Sequence, residues 1–208
     1  MVNLPAIPQS NANEFMEFTK AQHKGGTAVA HYVLTHPRIA LRVAPLALKK
    51  NVSVRIESYW AGNASKHGNV AVKYSAVPCA GTPAATTLTG DNYLRAELKP
   101  HLAAGEVCFD FFAQKQRDAV AQSIEDASIT WKLDEAPAVR IARLTIPDTT
   151  LDTPATNAVE ATCDALSFNP WNSAPEYRPL GNVNRSRKHA YEASRQMRGA
   201  TGEPRSIP

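Results

Sequence analysis

The sequence predicts an α+β fold built around an antiparallel sheet. Three observations carry this reading. Helical spacing of apolar residues dominates up to about residue 50, period-two alternation replaces it between residues 52 and 146, and helical spacing returns after Thr153. Helices, then strands, then helices is the order of an α+β chain, whereas a parallel sheet would interleave the two as βαβ units.

Residues 11–50 read as helical. Asn11 or Asn13 can cap a first segment in which Phe15 and Phe18, three apart, share a face. Gly25-Gly26 breaks it. A second apolar segment runs from Thr27 to Leu34 and stops before Pro37. A third, from Arg38 to Lys50, has Pro45 as its kink or end, since proline lacks the N–H a helix needs there.

Two half-buried strands follow. In 51–60, Val52, Val54 and Ile56 alternate with Ser53, Arg55 and Glu57; in 69–77, Val70, Val72 and Tyr74 alternate with Ala71, Lys73 and Ser75. A turn-like stretch from Gly62-Asn63 to Gly68-Asn69 joins them, and Pro83 to Thr89 is a loop of small residues. Residues 106–113, with Val107, Phe109 and Phe111 on one side, and 139–146 are two further strands. Thr153-Pro154 is a helix start, an N-cap followed by proline at the first position, with Val159, Cys163 and Leu166 at helical spacing behind it. Residues 168–179 form an irregular, proline-rich connection, and a last helix runs from about Asn184 to Arg198. The first 198 residues read as one core, and 199–208 as a flexible Gly/Pro/Ser-rich tail.

Composition narrows the function. The chain has 208 residues, 43% hydrophobic and 20% charged, enough for one globular domain with a real core. No apolar run reaches the ~18 residues of a membrane span, and Met1-Val2-Asn3-Leu4-Pro5 does not open a secretory signal, so a cytoplasmic location is expected. Cys79, Cys108 and Cys163 lie far apart with no Cys-x-x-Cys pair, which argues for buried free thiols rather than a disulfide or zinc site. The net charge of +4 resides wholly in the segment from Glu176 to Pro208. That segment has no interleaved aromatic pattern and no nucleic-acid-binding motif, so a solvated helix face explains it and no nucleic-acid partner is expected.

The common catalytic motifs are missing: there is no phosphate-cradling glycine loop, no His-Glu-x-x-His and no Gly-x-Ser-x-Gly. His23, His31, His36, His67, His101 and His189 show no metal-ligand spacing. Glu125-Asp126 and Asp134-Glu135 read as solvated loops. The pointed feature is Arg187-Lys188-His189-Ala190-Tyr191. On a helix, Arg187 and Tyr191 lie on one face, close enough for a guanidinium to bond a phenolic oxygen. A phenol titrates near pH ~10, so a tyrosine serves as an anionic ligand only beside positive charge, and tyrosinate is an axial ligand of haem iron. Arg55 and Tyr59 repeat the spacing, but within a predicted strand, where four residues separate Cα atoms by about 13 Å.

The surroundings of Arg187 and Tyr191 carry a family likeness. The series is Ile124-Glu125-Asp126 to Trp131, Val139 to Ile146, Ser167-Phe168-Asn169-Pro170-Trp171-Asn172, Pro175-Glu176-Tyr177-Arg178-Pro179-Leu180-Gly181, and Arg187 to Tyr191. It resembles the C-terminal half of the catalase core, which has a tryptophan-containing wrapping segment, a barrel strand, a Phe-Asp/Asn-Pro turn and a haem-ligand helix. The Pro-Glu-x-Arg-Pro-Leu-Gly run and Tyr191-Glu192 look more like the small catalase-related branch, which includes haem peroxidases and allene-oxide-synthase-like enzymes. With Asn11 to Phe18 as the helix that follows the distal-side strand, the likeness covers most of the chain.

The resemblance implies a partial antiparallel barrel of the catalase type, flanked by helices and completed by a C-terminal haem-ligand helix. Tyr191 would be the proximal ligand of a haem b iron and Arg187 its phenolate partner, with Lys188 and His189 departing from the apolar residues usual between them. It implies a hydroperoxidase acting on hydrogen peroxide, or alternatively a fatty-acid hydroperoxide-transforming enzyme or a non-catalytic haem-binding remnant. A distal His and Asn belong upstream of the segment with which this chain begins. His67, before Gly68-Asn69, imitates that distal His but falls after the helices instead of before them. Met1 corresponds to an internal position of a longer family member, so the distal half is expected from a further N-terminal segment or a partner chain.

Overall fold

A computed structural model describes residues 2–47 and 49–200. Three helices open it: α1 (Ala12–Lys24), α2 (Gly26–Thr35) and α3 (Pro37–Ala47). Of the two candidate caps, Asn11 is the one used; its side-chain oxygen accepts from the backbone N–H groups of Asn13 and Glu14 at 3.0 and 3.1 Å. Gly25, at φ 105°, separates α1 from α2 in a conformation that side chains disfavour. Helix α3 passes Pro45 and ends at Ala47. Ala21, Tyr32 and Ile39 form the small core shared by these helices, with Phe18 packed 5.7 Å from Tyr32.

The sheet comprises β1 (Tyr59–Trp60), β2 (Ser65–His67), β3 (Val70–Pro78), β4 (Val107–Lys115) and β5 (Ala138–Ile146). Its order is β1-β3-β4-β5, with β2 also on β3, and every pairing is antiparallel. It is not closed into a barrel among the described residues. Helix α4 (Tyr93–Ala104) packs Leu98 and Leu102 against Ala76, Val107 and Phe109 on one face of the sheet. Helix α5 (Pro154–Ala165) starts on the Thr153 cap, whose side-chain oxygen accepts from the Thr156 N–H while the Thr156 hydroxyl oxygen accepts from the Thr153 N–H. The chain then passes through a short 3₁₀ turn (Pro175–Tyr177) into α6 (Asn182–Met197).

Strand β5 pairs with β4 with a register shift between Phe111 and Phe112, where Ile141 is the additional residue on β5. The bulge brings Arg140 and Arg143, three apart, to the same face, and both reach Asp110 Oδ1 at 3.2 and 3.1 Å. Val139, Ile141, Leu144 and Ile146 of this strand are 43–63% exposed.

Four expectations need correction. The strand expected over 52–60 shrinks to Tyr59–Trp60, because Arg55, assigned to its solvent face, is 1% exposed and turned inward. The stretch expected as a turn holds β2. Helix α4 lies where the apolar pattern marked no element: it buries Glu97 beside Leu102 and carries Pro100, so its inner face is not uniformly apolar. The thiols are not all free. Cys79 and Cys108, 29 residues apart, are disulfide-bonded with Cα atoms 5.6 Å apart, since the β3–β4 register sets them side by side. Cys163 is free but exposed. No described helix is long and apolar enough to cross a membrane. Of the expected tail, 201–208 lies outside the described residues.

Candidate functional site

Helix α6 is held at its start by three contacts that its sequence makes possible. Gly181, at φ 86°, precedes it where a Cβ would overlap the carbonyl oxygen of Ile124, so only glycine lets the two backbones approach. Asn182 accepts from the Ala12 N–H at 3.0 Å and donates to the Glu125 carbonyl at 2.6 Å, tying α6 to the start of α1 and to the 124–131 segment. Arg185 pairs with both carboxylate oxygens of Glu125 at 3.0 and 2.8 Å; the pair is half-exposed and contributes little alone.

One turn into the helix, Arg187 Nη2 donates to Tyr191 Oη at 2.8 Å, with the guanidinium carbon 5.3 Å from the centre of the phenol ring. The other Arg187 terminal nitrogen donates to Asn184 Oδ1 at 3.1 Å. Arg187 and Tyr191 are partly buried, whereas Lys188 and His189 face solvent, with Lys188 5.8 Å from the Trp171 ring. Those two departures from the apolar pattern therefore sit on the outer face of the helix.

Beside this pair lies a mainly apolar cleft of about 670 Å³ between α1, α6 and the β1–β2 connection. Ile7, Phe15, Met16, Val183 and Ala190 line it, and Lys20 and Arg187 are its cationic wall residues. Its size and apolar character suit a hydrophobic ligand with a few polar anchors.

No family model matches the sequence, and no curated protein is similar to it. Solved structures are similar in fold. A bacterial catalase superposes with a TM-score of 0.74 at 17% identity, covering 94% of this chain and 42% of its own. A fungal catalase gives 0.74 at 14% identity, over 96% and 44%. Catalase A from Saccharomyces cerevisiae gives 0.73 at 14% identity, over 94% and 45%. The fold is catalase-like. The chain spans less than half the length of each of these structures.

The other sequence candidates fall elsewhere on this catalase-like fold. His67 does not line the cleft; its Nδ1 is 2.9 Å from Tyr74 Oη and its ring meets Tyr177 edge-on. Arg55 and Tyr59 do not bond to each other: the Tyr59 hydroxyl donates to the Val54 carbonyl at 2.7 Å, and the Arg55 guanidinium reaches Glu97 at 2.9 Å. His36 stacks on Tyr32, His101 contacts Arg55, and His189 is exposed. Sequence reasoning missed Asn184 and Gly181 as site residues. The Asn184-x-x-Arg187 spacing, which puts an amide one turn before the guanidinium, was the only available signal for the first.

A second cavity of the catalase-like fold, about 550 Å³, contains Lys73 and Trp131. Lys73 is 5% exposed; its ammonium donates to the Ile129 carbonyl at 2.7 Å and lies 5.2 Å from the Trp131 ring centre. Burial lowers its pKa to about 8, with the Asp126 carboxylate acting in the opposite sense. The folded protein therefore releases this proton at lower pH than an unfolded lysine, which titrates near ~10.4. Stability should rise between those values, by at most about 1.4 kcal/mol per pH unit. Urea unfolding at pH 7.5 and 9.5 checks this. Lys73→Met should flatten the rise, and an identical rise in the variant would assign it to other groups.

Proposed function

We propose that the protein is the proximal half of a haem-dependent, catalase-like hydroperoxidase that decomposes or reduces hydrogen peroxide. In this reading Tyr191 would hold the haem b iron through its phenolic oxygen, and Arg187 would be its phenolate partner. The observation that carries this reading is the 2.8 Å bond to the Tyr191 oxygen from Arg187, which itself lines a mainly apolar cleft of about 670 Å³.

The residues fit the group. A phenolic oxygen is a hard donor suited to ferric iron, the adjacent guanidinium offers the positive charge that an anionic oxygen ligand needs, and the cleft walls are apolar. When bound, haem would supply the redox-active iron at which a peroxide O–O bond is cleaved. The chain's own contribution is binding and orientation: Ile7, Phe15, Met16 and Val183 give the cleft an apolar lining, and Arg187 fixes the direction of the Tyr191 oxygen. A proton-transferring group on the opposite face would come from a further N-terminal segment or a partner chain, with the hydroperoxide as substrate.

Tyr191→Phe keeps the ring but removes the oxygen. Haem titration of the full chain, followed by absorption, should show a ferric–phenolate charge-transfer band that is absent in this variant and retained in Tyr59→Phe. An unchanged spectrum in Tyr191→Phe, or the same loss in Tyr59→Phe, overturns the assignment.

A further inference from the structure

We infer that Asn184 is the positioning residue of the Arg187–Tyr191 pair, fixing the guanidinium so that one terminal nitrogen points at the phenolic oxygen; this rests on the haem-proximal reading above. Arg187 alone is a poor anchor. A long side chain held by one hydrogen bond to a neighbour retains many rotamers, and its rotamer entropy opposes any single geometry. Asn184 supplies the second point. Its Oδ1 accepts from Arg187 Nη1 at 3.1 Å while Nη2 donates to Tyr191, so the planar fork is held at two of its tips.

The amide itself cannot turn over. Its Nδ2 donates to the Ala64 carbonyl at 3.0 Å and to the Leu180 carbonyl at 2.8 Å, so both N–H donors are used. Rotating the amide by half a turn would set its oxygen against two carbonyls and its N–H groups against the guanidinium. The backbone is pinned as well, since Trp171 Nε1 donates to the Asn184 carbonyl at 2.9 Å. The residue is 4% exposed, in a helix, where asparagine is an indifferent former. Its value lies in these bonds. Asn184, Arg187 and Tyr191, at spacings of three and four, share one helix face. Through Ala64, 1% exposed, that face is joined to the same connection that contributes Gly62 and Asn63 to the cleft.

A double-mutant cycle tests the inference with the full chain and haem. Asn184→Ala should weaken haem binding about tenfold, the scale of one hydrogen bond to a charged group, and diminish the charge-transfer band. In an Arg187→Met background the same change should have no effect on either. Loss of equal size in both backgrounds would make Asn184 merely structural and overturn the inference. So would an unchanged Asn184→Ala, provided that Tyr191→Phe abolishes the band; if Tyr191→Phe changes nothing, the haem reading is what fails. Should Asn184→Ala not fold, nitrogen-15 NMR of the haem-free wild-type chain decides. The Arg187 terminal N–H groups should give separate signals from a guanidinium in hindered rotation, and a single averaged signal would overturn the proposal.

Discussion

Glu97→Ala should destabilise the fold by about 3–5 kcal/mol, the effect of leaving a charge buried and unpaired. Its partner is Arg55, and the two side chains are 0% and 1% exposed. Arg55 donates to Glu97 Oε1 from Nε at 3.2 Å and from Nη2 at 2.9 Å, it also donates to the carbonyls of Pro83 and Ala84, and Nη2 lies 2.9 Å from His101 Nε2. A guanidinium cannot shed its proton in this pH range, so removing the carboxylate strands a cation. Replacing both residues, Arg55→Met with Glu97→Leu, should recover part of the loss, because neither charge then remains. Burial pushes the Glu97 carboxyl up, but hydrogen bonds from Ser53 and Arg55 and the Arg55 charge prevail, so it titrates below the usual carboxylate range. A depressed folded value means that this stabilisation is complete above the unfolded value of ~4.3 and is lost as pH falls through the folded one. Urea unfolding at pH 7 measures the cost, and a series from pH 5 to pH 2 should show acid sensitivity that Glu97→Gln lacks. A cost below 1 kcal/mol at pH 7 would contradict the buried pair.

Gly181→Ala is expected to rank next. The backbone sits at φ 86°, where an L side chain costs about 1–2 kcal/mol. The added methyl would also overlap the Ile124 carbonyl oxygen, and overpacking adds about 1–3 kcal/mol. Gly62→Ala separates the two contributions. That glycine is also at positive φ (70°), but its Cβ would meet only side-chain carbons of Ile7 and Val2 at 3.5 and 3.6 Å, ordinary contacts. Denaturant unfolding should therefore show Gly181→Ala losing more than Gly62→Ala by about the overpacking increment. Equal losses would mean that the 124–125 segment yields to the new methyl.

The architecture was legible wherever one face of an element is uniformly apolar. β3 and β4 were readable from alternation, because solvent and core impose opposite preferences on successive positions, and α5 from the Thr153-Pro154 start. Legibility failed where a polar residue goes inward. Arg55 and Glu97 occupy interior positions because they neutralise each other across 42 residues of sequence, and no local pattern records that pairing. The same reason hid α4, whose inner face includes Glu97. The disulfide of Cys79 and Cys108 was unreadable in kind, since a bridge depends on strand register and not on spacing. Within the candidate site, the Arg187–Tyr191 contact was visible through helical spacing together with the motifs around it. The fixed amide of Asn184 was not, because its partners Ala64 and Leu180 contribute backbone atoms, which carry no sequence signature.

Among the described residues β5 pairs only with β4, and its other side sets how the molecule must be handled. Its main-chain groups opposite β4 form a template on which another extended chain can grow, and its Val139, Leu144 and Ile146 give such growth a hydrophobic reward. Arg140 and Arg143 act as gatekeepers: two cations sharing one carboxylate leave the strand electropositive, so a second β5 approaching in register meets repulsion. Salt screens that repulsion within about 8 Å at physiological ionic strength while leaving the hydrophobic attraction in place. Concentrated stocks therefore belong in low-salt buffer, where the guard charges of β5 retain their reach.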